Sequence, residues 1–357
     1  MKILHVITSL LTGGAEKLMV DLLPRMKAKG HDVELCSFDS TITPFRQELE
    51  KSNIVIHSFH KGVQKVYDPR NIFRIRRLIK RGGYDIVHTH NTAPQLFTAI
   101  ACIGLDVRLI STEHNTTNRR RDNALFKILD SWMYGKYSNI ICISEQSELN
   151  LRTYLPKIKN VCTIFNGIDY NKYAQAKPAS DVRKLGDKIV TMVAAFRPQK
   201  DQPTLIKAMQ YLPEVYHLCL VGTGDNNRKI LFEQLIKKHN LQRRVHLLGL
   251  RNDIPNVLAA SDFVVMSSHY EGLSLSNLEG MASGKPFIAS DVDGLREIVN
   301  GYGVLVEHGN AKAFADAILA LDQDLNYKNQ IIERCQNKAK LYEINIMLDK
   351  YLNLYKM

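Results

Sequence analysis

Two glutamates, Glu271 and Glu279, bracket the start of a helical run, Leu278-Glu-Gly-Met-Ala-Ser283, that follows an apolar strand segment, Phe263-Val-Val-Met266. A helix start carries unpaired backbone N–H groups and a partial positive charge, so phosphate oxygens can settle there without a metal ion. Carboxylates beside a phosphate do not bind it; they accept hydrogen bonds from hydroxyls. A loop glutamate on one side and a helical glutamate about two turns on therefore suit a molecule with hydroxyls on both sides of a diphosphate. A nucleotide sugar has that layout. Taken by spacing alone, the same pair also reads as ordinary helix-end charge.

Further phosphate-binding elements follow other strands. The first strand passes through Leu10-Leu-Thr-Gly13-Gly14-Ala-Glu16-Lys17 into a helix, and paired glycines there let backbone approach an anion. A glycine turn after a first strand also opens dinucleotide-binding domains, and Asp39 stands where a ribose-binding acid would. The G-x-G-x-x-G spacing is missing, however, because Ala15, Glu16 and Lys17 occupy the place of the third glycine. Cationic groups come from Ala194-Ala-Phe-Arg197-Pro-Gln-Lys200: arginine offers phosphate a fork of donors and lysine a point charge. Gly222 lies in a glycine-rich turn, Val221-Gly-Thr-Gly-Asp225, and Arg251 in Gly249-Leu-Arg-Asn-Asp253. His114 closes Thr112-Glu-His114, a setting where a histidine is ordinarily a structural hydrogen-bonder. His88 and His90 share a strand face, but no cysteine or carboxylate is spaced to complete a metal site with them.

The elements that must hold these residues alternate. Residues 2 to 8, 32 to 38, 54 to 58, 85 to 89, 107 to 112 and 139 to 143 are β-rich runs with helical stretches between most of them. A second series covers 188 to 194, 217 to 221, 245 to 248, 263 to 266 and 286 to 289. Such alternation predicts parallel sheets with crossover helices, hence an α/β fold of two doubly wound domains. Asn166-Gly-Ile-Asp169 and the polar stretch ending near Ala179-Ser180-Asp181 mark the boundary. The chain ends in an apolar-periodic helix over Leu341 to Tyr355.

The run Glu271-Gly-Leu-Ser-Leu-Ser-Asn-Leu-Glu279, continued by Gly284-Lys285-Pro286 and Asp293-Gly294, resembles the E-x7-E motif of the retaining glycosyltransferases of family 4, and the likeness extends over most of the chain. The resemblance implies a GT-B fold, two Rossmann-like domains facing across a cleft. Residues 1–172 would form the acceptor domain, with the helix 341–357 packing back on it, and residues 173–340 the donor domain. It implies that Gly13 and Gly14 lie near the donor diphosphate and acceptor and that His114 contacts the donor sugar beside the reacting carbon; His88 and His90 read as strand-end residues, with His90 near the acceptor. Lys200, Arg197 and the helix start at Ser274 and Leu275 would stabilise the leaving diphosphate. Glu279 would hold the ribose; Glu271 with the backbone of Gly272, Leu273 and Ser274 would hold the sugar; Gly222 would belong to the donor site, and the turn of Arg251 would border the nucleobase, uracil by the family's habit. The family's arginine, five residues before the lysine, falls on Ala195, and Arg197 stands two residues later. Glu271 has the chemistry of a nucleophile, yet in the family it positions the sugar, and retention is attributed to front-face attack. The resemblance thus implies transfer of a hexose or N-acetylhexosamine to a glycan or lipid-linked acceptor in surface polysaccharide synthesis, with no metal and no cofactor beyond the nucleotide-sugar substrate. A nucleotide-sugar epimerase or a non-catalytic sugar-nucleotide-binding protein of the same fold are the alternatives.

Composition bounds the rest. The 357 residues are 45% hydrophobic, enough for two cores, and carry a formal charge of +12. Basic residues crowd Lys61 to Arg81 and Arg119 to Arg121, the latter beside an amphipathic segment, Asn123 to Tyr134, with the single tryptophan. That combination suits an anionic membrane surface. No nucleic-acid fold signature accompanies the charge; a nucleic-acid module would bind oligonucleotides salt-dependently and ignore Glu279. Six scattered cysteines without paired spacing read as buried thiols in a reducing compartment. The N-terminus lacks a signal-peptide pattern and no apolar run approaches the about 18 residues of a span. The expectation is a cytoplasmic protein, peripheral at the inner face of the membrane.

Overall fold

The structure is a computed structural model that describes residues 1–356 apart from Thr12, residues 115–120 and Asp122. The chain divides into two compact units: Met1–Gly167 with Ile344–Met357, and Ile168–Glu343.

The first unit is built on seven strands: β1 (Lys2–Ile7), β2 (Asp32–Asp39), β3 (Val55–His60), β4 (Ile86–His90), β5 (Arg108–Glu113), β6 (Asn139–Cys142) and β7 (Val161–Thr163). Their order is β3-β2-β1-β4-β5-β6-β7, every pair parallel. A parallel sheet is covered on both faces, so β1 and β4 are buried along nearly their whole length, polar residues included. One face packs Ile3 and Ile7 against Leu18, Leu22 and Met26 of the first helix (Gly14–Ala28) and Met347 and Tyr351 of the terminal helix (Ile344–Lys356). The other packs Leu4, Val6, Val87 and Ile140 against Ile75, Ile79 and Met133. The terminal helix starts later than its periodicity suggests, because Tyr342 and Glu343 are taken up by Ile168: the Ile168 N–H donates to the Tyr342 carbonyl, and Ile168 bridges Glu343.

The second unit holds β8 (Lys188–Val193), β9 (Tyr216–Val221), β10 (Val245–Gly249), β11 (Phe263–Met266), β12 (Phe287–Ser290) and β13 (Val304–Val306) in the order β10-β9-β8-β11-β12-β13. Its pairs are all parallel too. Both sheets reverse their winding once, between β1 and β4 and between β8 and β11. Ligands of open α/β sheets bind beyond the carboxyl ends of strands at such a point. Gly13 and Gly14 follow β1 and His90 ends β4; Lys200 follows β8 and Glu271 follows β11.

Two strands escaped the sequence pattern. β7 and β13 are three-residue edge strands, too short to show a period. All six cysteines are free thiols, Cys162 half-buried and the others buried. Among the described residues no helix is long and apolar enough to cross a membrane.

Candidate active site

The second unit brings Lys200 and Glu271 together. Lys200 ends a short 3-10 turn, Pro198–Lys200, that turns the chain after β8. Glu271 sits in the loop between β11 and the helix Leu275–Ala282. The Lys200 ammonium is ion-paired with Glu271 Oε1, with the side chains 14% and 4% exposed. Ser268, fully buried, donates to the same oxygen at 2.6 Å. Ser267 donates to the carbonyls of Lys200 and Asp201 at 3.1 and 2.9 Å, and Gln199 to the Tyr270 carbonyl at 2.8 Å. These bonds fasten the β8 turn to the β11 loop. Nothing in their residue types gave Ser267, Ser268 and Gln199 away; Ser267 and Gln199 act on backbone carbonyls and Ser268 on the Glu271 carboxylate, partners that only the folded loops bring near.

The helix Leu275–Ala282 begins at Ser274, whose side chain caps nothing and instead meets the Ser276 hydroxyl at 2.9 Å. The first-turn N–H groups are therefore left uncapped by the residue that usually serves them. Gly272 and Ser274 are half-buried, Leu273 and Leu275 buried, and Glu279 is 3% exposed in the second turn. Gly294, at φ +82°, lies so close to the Glu271 backbone that a Cβ would stand 1.9 Å from the Glu271 carbonyl oxygen. Gly294→Ala thus combines a left-handed backbone penalty with a clash. We expect it to cost more than about 1 kcal/mol, read by urea denaturation, and to lower activity with it. Wild-type behaviour in both would mean that Glu271 does not depend on this turn.

Other sequence-derived residues are placed differently. Arg197 is exposed, with no ion-pair or side-chain hydrogen-bond partner among the described residues, and does not join the Lys200–Glu271 pair. Gly222, at φ +142°, packs so tightly that a Cβ would fall 2.1 Å from the Ala194 carbonyl; it joins the ends of β8 and β9. Arg251 is held by Asp253, at 2.8 and 2.7 Å, and by Asp181 at 2.5 Å. Its hydrogen bonds to the two carboxylates raise its own pKa and hold both of theirs below the usual range.

In the first unit, Gly13 precedes the first helix with extended backbone at φ −177°, and Gly14 opens that helix where a Cβ would meet open space. Neither position demands glycine for its φ. His114 follows β5, half-buried, with Nε2 2.9 Å from His90 Nδ1. The preceding Glu113 is buried and accepts from the Tyr134 hydroxyl, with Arg121 at 3.6 Å. Of the Arg119 to Arg121 cluster, only Arg121 falls among the described residues. Burial pushes the imidazoles of His5 and His114 down to about 3 and about 4, and those of His88 and His90 well below the ordinary histidine range. The two strand histidines are thus members of a buried cluster, not merely strand-end residues.

The helix Ala124–Tyr134 turns its apolar side chains outward. Leu125 and Ile128 are 76% and 71% exposed, Phe126 and Trp132 are also exposed, and the buried residues are Asp130, Met133 and Tyr134. A cavity of about 920 Å³ beside it is lined by Ile128, Trp132 and Leu155 together with Lys127, Lys157 and Lys159. The helix Arg70–Gly82 exposes Phe73 among its basic residues.

Comparison with known proteins gives the same picture along the whole chain. Residues 12–172 match the model of Glycosyltransferase Family 4, and residues 174–338 that of Glycosyl transferases group 1. The chain is 27% identical to the UDP-Gal:alpha-D-GlcNAc-diphosphoundecaprenol alpha-1,3-galactosyltransferase of Escherichia coli, covering 99% of this chain and 96% of that protein. It is 26% identical to the N-acetyl-alpha-D-glucosaminyl L-malate synthase of Bacillus anthracis, covering 96% and 93%. Among solved structures it is similar in fold to Anabaena HepE in complex with UDP-glucose, with a TM-score of 0.86, 22% identity and full coverage of both chains.

Proposed function

We propose, from the premise that this chain belongs to glycosyltransferase family 4, that it moves a hexose or N-acetylhexosamine from a UDP-sugar to a glycan or lipid-linked acceptor in surface polysaccharide assembly. The transfer retains anomeric configuration and uses no metal ion. One observation carries the reading: Lys200 and Glu271 are paired beside the uncapped start of the helix Leu275–Ala282, with Glu279 buried in its second turn.

Each group then has a task. One ammonium N–H of Lys200 serves Glu271, which leaves two for diphosphate oxygens, and the helix N–H groups add a fixed positive end. Charge that develops on the departing diphosphate is met by donors already in place. Arg197, exposed and unengaged among the described residues, supplies a second cation for the same charge. Glu271 Oε1 is taken by Lys200 and Ser268, which leaves Oε2 to accept from sugar hydroxyls. Glu279 takes the ribose hydroxyls. The turns of Gly222 and of Arg251, fixed by Asp181 and Asp253, border the base through backbone groups. In the first unit, Gly13, Gly14 and His114 are the groups read as meeting a ligand.

Thermal unfolding with UDP, GDP and ADP, with and without a magnesium chelator, tests the donor site. A nucleotide at about 100 times its Kd adds roughly 2.7 kcal/mol, and we expect UDP to do so in the presence of chelator. Glu279→Ala should abolish the shift while leaving the response to pyrophosphate intact. No response to any nucleotide would remove the transferase reading.

The exposed apolar helix Ala124–Tyr134, with lysines around it, fits a peripheral contact with anionic lipid. Replacing Leu125, Ile128 and Trp132 together by serine should cut co-sedimentation with anionic vesicles at least about tenfold, given the apolar area withdrawn, and leave turnover of a water-soluble acceptor unchanged. Equal vesicle binding by wild type and variant would remove the membrane contact.

A further inference from the structure

The chemistry above leaves three buried histidines without a task. His5 on β1 and His88 and His90 on β4 are each 0% exposed. His5 pairs with His88 in register, and His90 lies two residues further along, so all three share the sheet face covered by the terminal helix. His88 is occupied at both nitrogens, by the Tyr355 hydroxyl and by Thr112 Oγ1 at 2.7 Å. The other two continue to His114. His5 Nδ1 is 3.0 Å from His90 Nε2, and His90 Nδ1 is 2.9 Å from His114 Nε2.

Ring nitrogens of His5, His88 and His90 lie within 4.8 Å of one another, a distance a metal ion could span. The ring planes argue otherwise. Those of His5 and His90 are 11° apart with ring centroids 5.3 Å apart, the spacing of two rings joined end to end through nitrogens 3.0 Å apart, as in an N–H···N hydrogen bond, rather than converging on a common point.

A neutral imidazole has one N–H and one lone pair. His90 is bonded through both nitrogens, so it donates at one and accepts at the other, and the whole chain has a direction. In one setting every proton sits on Nδ1, and the chain ends at a lone pair on His5 Nε2. In the other every proton sits on Nε2, and the chain ends at an N–H on that same atom. Among the described residues, His5 Nε2 is buried with no partner. A buried N–H without an acceptor is the rarer kind of orphan, which selects the first setting.

We propose that His90, backed by His5, is a positioning residue that fixes His114 as its Nδ1–H tautomer, so that the ring offers a ligand oxygen a hydrogen-bond donor and no lone pair. The proposal rests on the reading of His114 as a ligand-contacting residue. It has a chemical consequence: a ring whose Nε2 accepts from His90 and whose Nδ1 carries a proton cannot take the proton of an attacking hydroxyl. That proton then leaves by the departing phosphate.

Long-range 1H–15N spectra of the full chain labelled with 15N-histidine read the tautomers without any assay of turnover. At pH 7 we expect protonated Nδ1 and bare Nε2 in His5, His90 and His114. His90→Asn places an amide N–H where Nδ1–H was, and should keep both the His114 signature and the turnover. His90→Leu should release His114 to the Nε2–H form and lower kcat/KM about tenfold, equivalent to about 1.4 kcal/mol. A wild-type His114 protonated at Nε2 overturns the proposal, as does a His114 signature indifferent to His90→Leu. The expected tautomer together with turnover unchanged in His114→Ala would leave the wiring in place and overturn the ligand-donor role.

Discussion

Lys200→Met is expected to lower kcat/KM by 10²- to 10³-fold, the scale on which one preorganised donor to a developing anion contributes. The same change should destabilise the second unit. Glu271 is 4% exposed at its side chain and would be left as a buried carboxylate without its cation, a loss of about 3–5 kcal/mol where a buried pair is broken from one side. Glu271→Gln separates the two effects. It removes the negative charge and keeps an oxygen for Ser268, so the double variant Lys200→Met/Glu271→Gln should be more stable than Lys200→Met alone. Ligand binding then assigns the roles. Lys200→Met should weaken UDP and pyrophosphate alike, whereas Glu271→Gln should leave UDP affinity unchanged and lower turnover of the UDP-sugar. If UDP and pyrophosphate bind Lys200→Met as they bind wild type, Lys200 is a structural partner of Glu271 and nothing more.

The sequence carried more of this site than of its supports. Glu271, Glu279 and Lys200 are legible because their types and their distances from strand ends are local properties, and the strands themselves announce their period. Alternating β-rich and helical runs likewise specify two parallel sheets, since a parallel strand needs a crossover. Illegible were contacts that join loops far apart in the chain. Ser267 and Ser268 look like ordinary strand-end serines until the Lys200 carbonyl and the Glu271 carboxylate are seen beside them. Gly294 belongs to the motif, but its reason, a backbone approach to Glu271, exists only in three dimensions. The helix Ala124–Tyr134 shows the opposite failure. Its amphipathicity is plain in sequence, yet periodicity does not say which face looks inward, and here Asp130 is buried while Leu125 and Ile128 are exposed. The histidines were hidden for a third reason: His88 and His90 share a strand, but His5 joins them through the pairing of β1 with β4, which separates partners by more than eighty residues.

That same cluster makes the first unit acid-sensitive. His5, His88 and His90 are fully buried, and burial, assisted for His88 and His90 by the neighbouring imidazoles, holds their pKa values far below the unfolded value near 6.5. The groups facing them are His114, Thr112, Tyr351 and Tyr355, and no carboxylate is among the causes that shift them. In the window between about pH 6.5 and about pH 4, the unfolded chain binds protons that the folded one refuses, so stability falls as pH falls. Each such histidine contributes a loss of roughly 2 kcal/mol between pH 7 and pH 5, and three lose roughly 6 kcal/mol, comparable to the whole stability of many domains. Urea midpoints between pH 7 and pH 5, followed by a probe in the first unit, should show this decline, and His5→Asn should shallow it by about one histidine's share. The variant matters because other groups also titrate in acid. A decline no smaller in His5→Asn than in wild type would assign the acid sensitivity elsewhere. A flat wild-type profile would mean that the cluster takes up protons while folded, against the burial and the absent counter-charge that keep it neutral.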